Sequence, residues 1–582
     1  MTSSREYISS FDIFDTCLIR KCGTPENFFD VLSLYAFKEP VEENIRQEFV
    51  VARYNAEVSV QKETNQYSLS DIWEHFIWNN PALRTKEQLK ELELSLEEAL
   101  ICPVFEMVAV VEKSRRKGHR IVFISDMYLS SSFLTSLLIK HGFYKAGDAI
   151  YISCECGASK SNGSLYKYVQ EKEKVPFTRW KHYGDNIHSD YNVAQSLGIK
   201  SSLVKIEYTP YQNDWYNNDV RLNFHYASIL AGIGRALRNA SSRNSHTDLV
   251  IDIIAPFYCS LVWRMMEEAY RSGIKRLYFC ARDTYMMYHI AERYVEHFEG
   301  MSIHFLYISK QSLYYGNDVA KEQYFKQIGL ATRNDKVAIV DVRSTGKTML
   351  FLNDWLEKHG YNPVRGYYYE LFIRRDSTEY PVRDYYCEVN AMYMEHYPQV
   401  KYLLKWWKLQ EQYFPLNTLE RTIDYTLDVK GQATPVFDVN EEQTADDEKW
   451  YVQDIEKWSD IHKKIILDFA DNYIQLELYK YSNEIFNHVV IRTLNEFFTN
   501  PRPEYLHALS ELYVNTFKDN RIMRLPYVAR FPLWKMLKKG YITKHVVWDN
   551  ASKIYSMPNR FISKLYTIKQ QMTKKHIDVF CI

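Results

Sequence analysis

The chain has 582 residues, which at about 150 residues per domain allows two to four domains. Its 73 basic and 73 acidic residues cancel, which excludes a wholly polybasic or polyacidic chain and the bulk nucleic-acid wrapping that goes with one. Hydrophobic residues make up 46% and charged residues 25%, a globular composition that excludes a disordered chain.

Aromatics are the unusual component, at 15% with 47 Tyr and 12 Trp; such residues fill large cores and also present amphipathic surface. The first residues show no basic region followed by an apolar run, so no secretory leader is expected. Nine scattered cysteines without a CxxC pair predict reduced thiols and no zinc site. The longest apolar stretch, 249–263, is broken by Asp252 and Pro256 and falls short of the ~18–20 residues of a spanning helix. A soluble cytoplasmic protein is expected, at most peripheral to the inner face of the membrane.

In chain order, apolar runs at 7–14, 120–125, 149–153, 180–184 and 201–204 alternate with helical patterns such as 130–141 and 165–172. That alternation predicts a parallel, doubly wound sheet. The long gap between 14 and 120 reads as helices at 25–36, 42–57, 69–78 and 86–100, an inserted helical cap. A second series follows: helical patterns at 224–239 and 248–271, then strands at 276–281, 303–308, 336–342 and 366–372, with helices at 284–294 and 347–359. From about 404 the pattern is helical, with an acidic stretch at 438–448. Residues 521–582 carry 13 Lys/Arg against two acids, interleaved with aromatics. The expected domains are 1–206 (core 1–20 and 118–206, cap 21–117), 207–403 and 404–582.

Four points carry chemistry in the first series. The strand at 7–14 ends in Asp12, with Asp15 and Thr16 close behind; the next ends in Ser125-Asp126; Lys160 precedes a helix; and a strand ends in Gly184-Asp185, with Asp190 five residues on. Open α/β sheets place ligands at the carboxyl ends of their strands.

These points, in this order and with a cap between the first two, resemble the haloacid dehalogenase-like (HAD) superfamily over residues 5–205. The resemblance implies an α/β fold class: a HAD-like Rossmannoid parallel sheet with inserted helical cap, here followed by a second α/β domain and a mainly helical C-terminal region. It also implies that Asp12 is a nucleophile forming an aspartyl-phosphate. Asp12, Asp185 and Asp190, the last directly or through water, would hold Mg2+. Ser125 would bind a phosphoryl oxygen and Lys160 would neutralise charge, with Thr16 and Asp126 beside them on the phosphate side. The cap would select the substrate.

One position departs from this pattern. Phosphatases of the superfamily carry a second Asp two residues after the nucleophile, as general acid and base; here it is Phe14, and Asp15 stands where the family often has Gly. The dehalogenase branch lacks that acid too. Asp15 substitutes for it, or the leaving group needs no acid, or the domain is a slow or non-catalytic phosphate binder; the residues leave these open.

In the second series, 337–348 forms a strand, a turn and a helix start. The fragment Gly346-Lys347-Thr348 is no Walker loop, because Asp341 occupies the required Gly position. It is similar to the ribose-phosphate loop of phosphoribosyltransferases, one acid short. Asp341, Ser344, Thr345, Gly346, Lys347 and Thr348 are candidate phosphate binders, joined by Arg282 and Asp283 at the end of another strand, with Lys310 after the third. The two domains together resemble large bacterial proteins associated with surface-polysaccharide biosynthesis.

The expected function is a Mg2+-dependent phosphohydrolase or phosphotransferase acting on a phosphorylated sugar or related metabolite. The alternatives are a sugar or phosphoribosyl-type transferase in the second domain, a phosphate-sensing scaffold, and, as a minor case, a dehalogenase. For the basic tail, a peripheral contact with anionic lipid stands beside packing on the acidic stretch, and no nucleic-acid partner is expected.

Overall fold

A computed structural model describes residues 7–371 apart from 65, 218–223, 241–244, 282 and 345. It also describes 385–390, 422–438, 446–511, 513–518, 521–526, 528–530, 552–553 and 555–556. Most of the basic tail, and residues 439–445 of the acidic stretch, lie outside the described residues. The chain divides into two compact units, Met1–Asn244 with Gln475–Leu478, and Ser245–Ile474 with Tyr479–Ile582.

The first unit is built on strands β1 (Ile8–Phe11), β2 (Leu18–Arg20), β3 (Ile101–Pro103), β4 (Arg120–Ser125), β5 (Ala149–Ile152), β6 (Trp180–Gly184) and β7 (Lys200–Leu203). Five of these form a parallel sheet in the order β5-β4-β1-β6-β7. The near-continuous apolar run of β4, with Ile121 to Ile124 all buried, is what a strand covered on both faces requires. Strand order reverses beside the central β1, which places the ligand crevice at its carboxyl end.

The cap is a detour between β2 and β3, which pair antiparallel with Arg20 opposite Ile101. Its helices, Pro25–Tyr35, Glu43–Glu63, Leu69–Glu74 and Lys86–Leu100, start where their caps dictate. Thr24 precedes Pro25 at the first helical position, and Ser68 with Asp71, and Thr85 with Gln88, form capping boxes. Phe37, Phe49, Trp73, Phe76 and Trp78 pack ring against ring inside it, which accounts for part of the aromatic excess.

Two expected boundaries shift. The cap ends at Leu100 rather than 117, because β3 rejoins β2 before helix Phe105–Arg116 begins. The first unit runs past 206, because helix Tyr226–Asn239 packs on β2 and the turn after it. Gly232 of that helix lies so close to Gly23 that an added Cβ would stand 2.3 Å from its nitrogen.

In the second unit, β8 (Arg276–Cys280), β9 (Ser302–Leu306), β10 (Val337–Ser344), β11 (Arg365–Leu371) and β12 (Tyr385–Asn390) form a parallel sheet ordered β12-β11-β10-β8-β9. The C-terminal region is helical over 446–511 but also holds two hairpins, β13 (Thr422–Leu427) with β14 (Ala433–Phe437) and β15 (Tyr513–Lys518) with β16 (Arg521–Pro526). Among the described residues, one helical stretch, Ser245–Arg271, is long and apolar enough to cross a membrane, and 94% of its most apolar window is buried. Its π-type segment Val250–Ile254 precedes Pro256; the wider turn accommodates a ring that lacks an N–H and crowds the preceding turn.

Candidate active site

β1 lies in register between β4 and β6, with Ser10 opposite both Val122 and His182. The residues leaving these three strands therefore meet above the middle of the sheet. Asp12 is fixed there by its amide, which donates to the Tyr183 carbonyl at 2.8 Å. Lys160 Nζ reaches Asp12 Oδ1 at 2.5 Å and Asp190 Oδ1 at 2.7 Å, with all three side chains nearly buried. Ligand oxygens of Asp12, Asp185 and Asp190 all lie within 4.8 Å of one another. Thr16 donates a long 3.5 Å hydrogen bond to Asp185. Ser125 is buried at the end of β4 and lines the same cavity.

Asp126, expected on the phosphate side, is engaged by the Lys160 loop. Its carboxylate accepts the Lys160 amide at 2.9 and 3.0 Å and the Ser159 hydroxyl at 2.9 Å. It holds the backbone that aims Lys160.

Asp190 sits in a π-type turn, Ile187–Val193, an irregularity common at functional sites. Gly184 makes room for it, since a Cβ there would stand 2.4 Å from the Asp190 carboxyl carbon. Behind it runs a buried relay that sequence reasoning missed. Trp180 Nε1 donates to Ser10 Oγ at 2.6 Å, Ser10 Oγ lies 2.7 Å from His182 Nδ1, and His182 Nε2 lies 3.2 Å from Asp190 Oδ1. Asp190 only accepts, so Nε2 carries the proton and Nδ1 takes the Ser10 hydroxyl. The visible signal was alternation: Trp180, His182 and Gly184 form the buried face of β6.

Burial dominates the electrostatics. It pushes the Asp12 carboxyl up to about 8, with Asp190 and Asp185 adding to the rise and Lys160 opposing it. Burial, with Asp15 and Asp190 nearby, pushes Asp185 up to about 6. Burial acts upward on Asp190 too, but the His182 hydrogen bond and the Lys160 charge outweigh it and hold that group below the ordinary carboxylate range. Burial lowers His182, keeping the ring neutral. Three carboxylates against one ammonium leave an excess of negative charge, and an all-oxygen carboxylate set of this kind suits a hard divalent cation such as Mg2+.

Phe14 does point into the cavity, with the Arg20 guanidinium 4.3 Å from its ring centre. Asp15 adopts φ +51°, the left-handed conformation that glycine takes most easily and Asp tolerates. Its carboxylate is held by Arg235 at 2.9 Å, from the helix Tyr226–Asn239 that lies beyond the expected domain boundary.

A cavity of about 760 Å³ opens between this centre and the cap, with Tyr54, Glu57, Tyr67 and Tyr128 in its wall. The candidates of the second unit form a separate group. Asp341 lies within β10, as the expected strand 336–342 places it, and the strand continues two residues further, to Ser344. Gly346, at φ +77°, caps helix Lys347–Lys358, whose first residues are Lys347 and Thr348. Asp283 follows β8, and Lys310 opens the helix Lys310–Tyr315. Arg282 and Thr345 lie outside the described residues.

The five-stranded parallel sheet, the cap inserted after its first strand and the converging strand ends give the first unit the HAD-like Rossmannoid fold expected of it. Solved structures similar to this part of the chain include the HAD-hydrolase YfnB of Bacillus subtilis bound to magnesium (12% identity, 36% of this chain and 90% of that chain, TM-score 0.25). A HAD phosphatase from Thermococcus onnurineus is also similar (16%, 34% and 87%, 0.27), as is the L-2-haloacid dehalogenase PA0810 (10%, 34% and 84%, 0.26). No protein-family model and no curated protein matches the chain.

Proposed function

We propose that the first unit is a Mg2+-dependent phosphohydrolase that acts through an aspartyl-phosphate on a phosphorylated sugar or related small metabolite. The observation that carries this is the Lys160 ammonium bridging Asp12 and Asp190, with Asp185 beside them, at the floor of a capped cavity. Asp12 and Asp185 would hold the cation. Both oxygens of Asp190 already accept hydrogen bonds, from Lys160, His182 and the Asn186 amide, so Asp190 would act through a bound water. The cation supplies charge neutralisation at the phosphoryl oxygens.

Lys160 holds Asp12 Oδ1, leaving Oδ2 to attack phosphorus. Ser125 and Lys160 stabilise the charge that develops on the phosphoryl group. The ester P–O bond breaks as the aspartyl–phosphorus bond forms, and water then releases phosphate and regenerates Asp12. Phe14 offers the leaving oxygen no proton, and Asp15 is engaged by Arg235, so leaving-group protonation falls to solvent and the reaction is slow on poor leaving groups.

Phe14 favours one second reading, hydrolysis of a carbon–halogen bond, and the carboxylate trio weighs against it. The test is phosphate release from a panel of phosphate esters with Mg2+, and chloride release from 2-chloroacids, by wild type and Asp12→Asn. Phosphate release abolished in Asp12→Asn is expected. A wild-type protein inert across the phosphate panel, or one releasing only halide, overturns the proposal.

A further inference from the structure

The cavity has two chemically different ends. Its floor holds the carboxylates and Lys160, and its far wall is cap. Among the described residues, the guanidinium groups at that wall are already committed. Arg20 is 7% exposed and makes a forked pair with Glu97, through Nε at 3.1 and 3.0 Å and Nη2 at 2.7 Å. Behind the wall, Arg53 is fully buried and pairs with Glu93 through Nη2 at 2.7 Å and Nε at 3.1 Å. The cluster thus sets two guanidinium groups against three carboxylates, Glu57, Glu93 and Glu97.

Glu57 is the one that reaches the cavity, its side chain 19% exposed against 0% for Glu93 and 1% for Glu97. Its partners are Arg53 at 3.3 Å, whose guanidinium is also forked onto Glu93, Gln61 at 3.4 Å and the Tyr67 hydroxyl. Burial, with Glu93 adding its charge, raises its carboxyl above the ordinary value. Glu57 lines the cavity, as does the exposed Glu26 in the first turn of Pro25–Tyr35. Around them stand tyrosine faces: Tyr54 is 55% exposed, and Tyr67 stacks on Tyr128 at 6.5 Å. Aromatic rings beside an under-compensated carboxylate attract an ammonium group, whereas a second anion on the substrate would meet Glu57 with no free guanidinium to receive it.

We infer that the cap wall selects phosphate esters whose leaving alcohol carries a protonated amine, with Glu57 and Tyr54 as the specificity-determining residues, and that it rejects leaving groups bearing a second anionic group. This rests on the phosphohydrolase reading, and the two are separable by experiment. Calorimetry on the full-length Asp12→Asn variant with Mg2+ measures ester binding without turnover, using glucosamine 6-phosphate, glucose 6-phosphate and 6-phosphogluconate as matched probes.

The amine ester is expected to bind about fivefold more tightly than the neutral one, the size of a cation–π contact at a partly exposed ring. It should bind more than about tenfold more tightly than the carboxylate ester, which brings like charges together. Adding Glu57→Gln should bring amine and neutral esters within about twofold. Tyr54→Leu, at an exposed position that folding tolerates, should halve the preference or more. Equal affinities for the three esters, tighter binding of the carboxylate ester, or a preference unmoved by both substitutions overturns the inference. If wild type hydrolyses nothing while the Asp12→Asn binding order holds, the hydrolase reading falls and the selectivity stands; no binding of any ester overturns both.

Discussion

Acidification should weaken Mg2+ binding steeply, and the slope follows from the charges already described. A cation can use Asp12 only as the carboxylate, yet burial holds that carboxyl at about 8 in the metal-free site, with Asp185 at about 6. Below pH 8 the cation must therefore displace a proton from Asp12, at a cost of about 1.4 kcal/mol, or tenfold, per pH unit. From pH 8 to pH 6 the affinity should fall about a hundredfold, and more steeply below pH 6 as Asp185 joins. The sign for folding runs the opposite way. Between the ordinary value near 3.8 and the raised value near 8, the folded metal-free chain binds a proton that the unfolded chain has released, so metal-free stability falls as pH rises through that window. The assay is titration calorimetry of the full chain at pH 8, 7 and 6, repeated in buffers of unlike ionisation enthalpy, with proton release approaching one per Mg2+ at pH 7 and exceeding it at pH 6 as Asp185 contributes. Asp12→Asn should flatten the slope above pH 6. An affinity constant within about threefold from pH 8 to pH 6, with no proton release, would refute the reasoning.

Three further outcomes are expected. His182→Phe removes the donor to Asp190 and should lower Mg2+ affinity by about 10–100-fold, whereas His182→Gln, whose amide can still donate, should stay within a few-fold by calorimetry; equal losses in both would show the ring to be mere packing. Phe14→Asp restores a proton donor and acceptor two residues after the nucleophile, and should raise turnover by about tenfold or more on an alkyl phosphate but little on p-nitrophenyl phosphate, whose leaving group needs no acid; phosphate-release assays on both esters decide it. Gly232→Ala drives a methyl to 2.3 Å from the Gly23 nitrogen and should cost about 1–3 kcal/mol in urea unfolding; an unchanged midpoint would show that the helix is not seated on that loop.

Much of the first unit was legible because strand ends are where sequence and chemistry coincide. Asp12, Ser125, Lys160, Asp185 and Asp190 each followed an apolar run or preceded a helix, and the parallel sheet brings their backbones together. What escaped depended on side chains crossing between elements. Nothing local marks Arg235, 220 residues from its partner Asp15, and the helix that carries it looked like the start of the next domain. Ser10 and His182 read as strand filler, because a hydrogen bond between β1 and β6 leaves no trace in either segment alone. The second task of Asp126 escaped for a related reason: a carboxylate at a strand end can serve a ligand or the next loop's amides, and the hydrogen bonds to the Lys160 loop show only in the structure. In the second unit, the strand expected at 336–342 runs on to Ser344, because the ladder with β11 continues through the polar Arg343 and Ser344, which carry no apolar signal.

The pairing of β2 with β3 also bears on how such a protein can change. The chain departs at Arg20 and returns at Ile101, its residue opposite, and the Lys21 amide already donates to the Leu100 carbonyl at 2.8 Å. The cap is therefore threaded through a closed doorway of two strands, and a short turn in place of residues 22–99 would leave the sheet's connectivity intact. On the proposed function, recognition would be a cassette in this architecture, joined through one pair of strands and separate in sequence from Lys160 and the aspartates on the sheet.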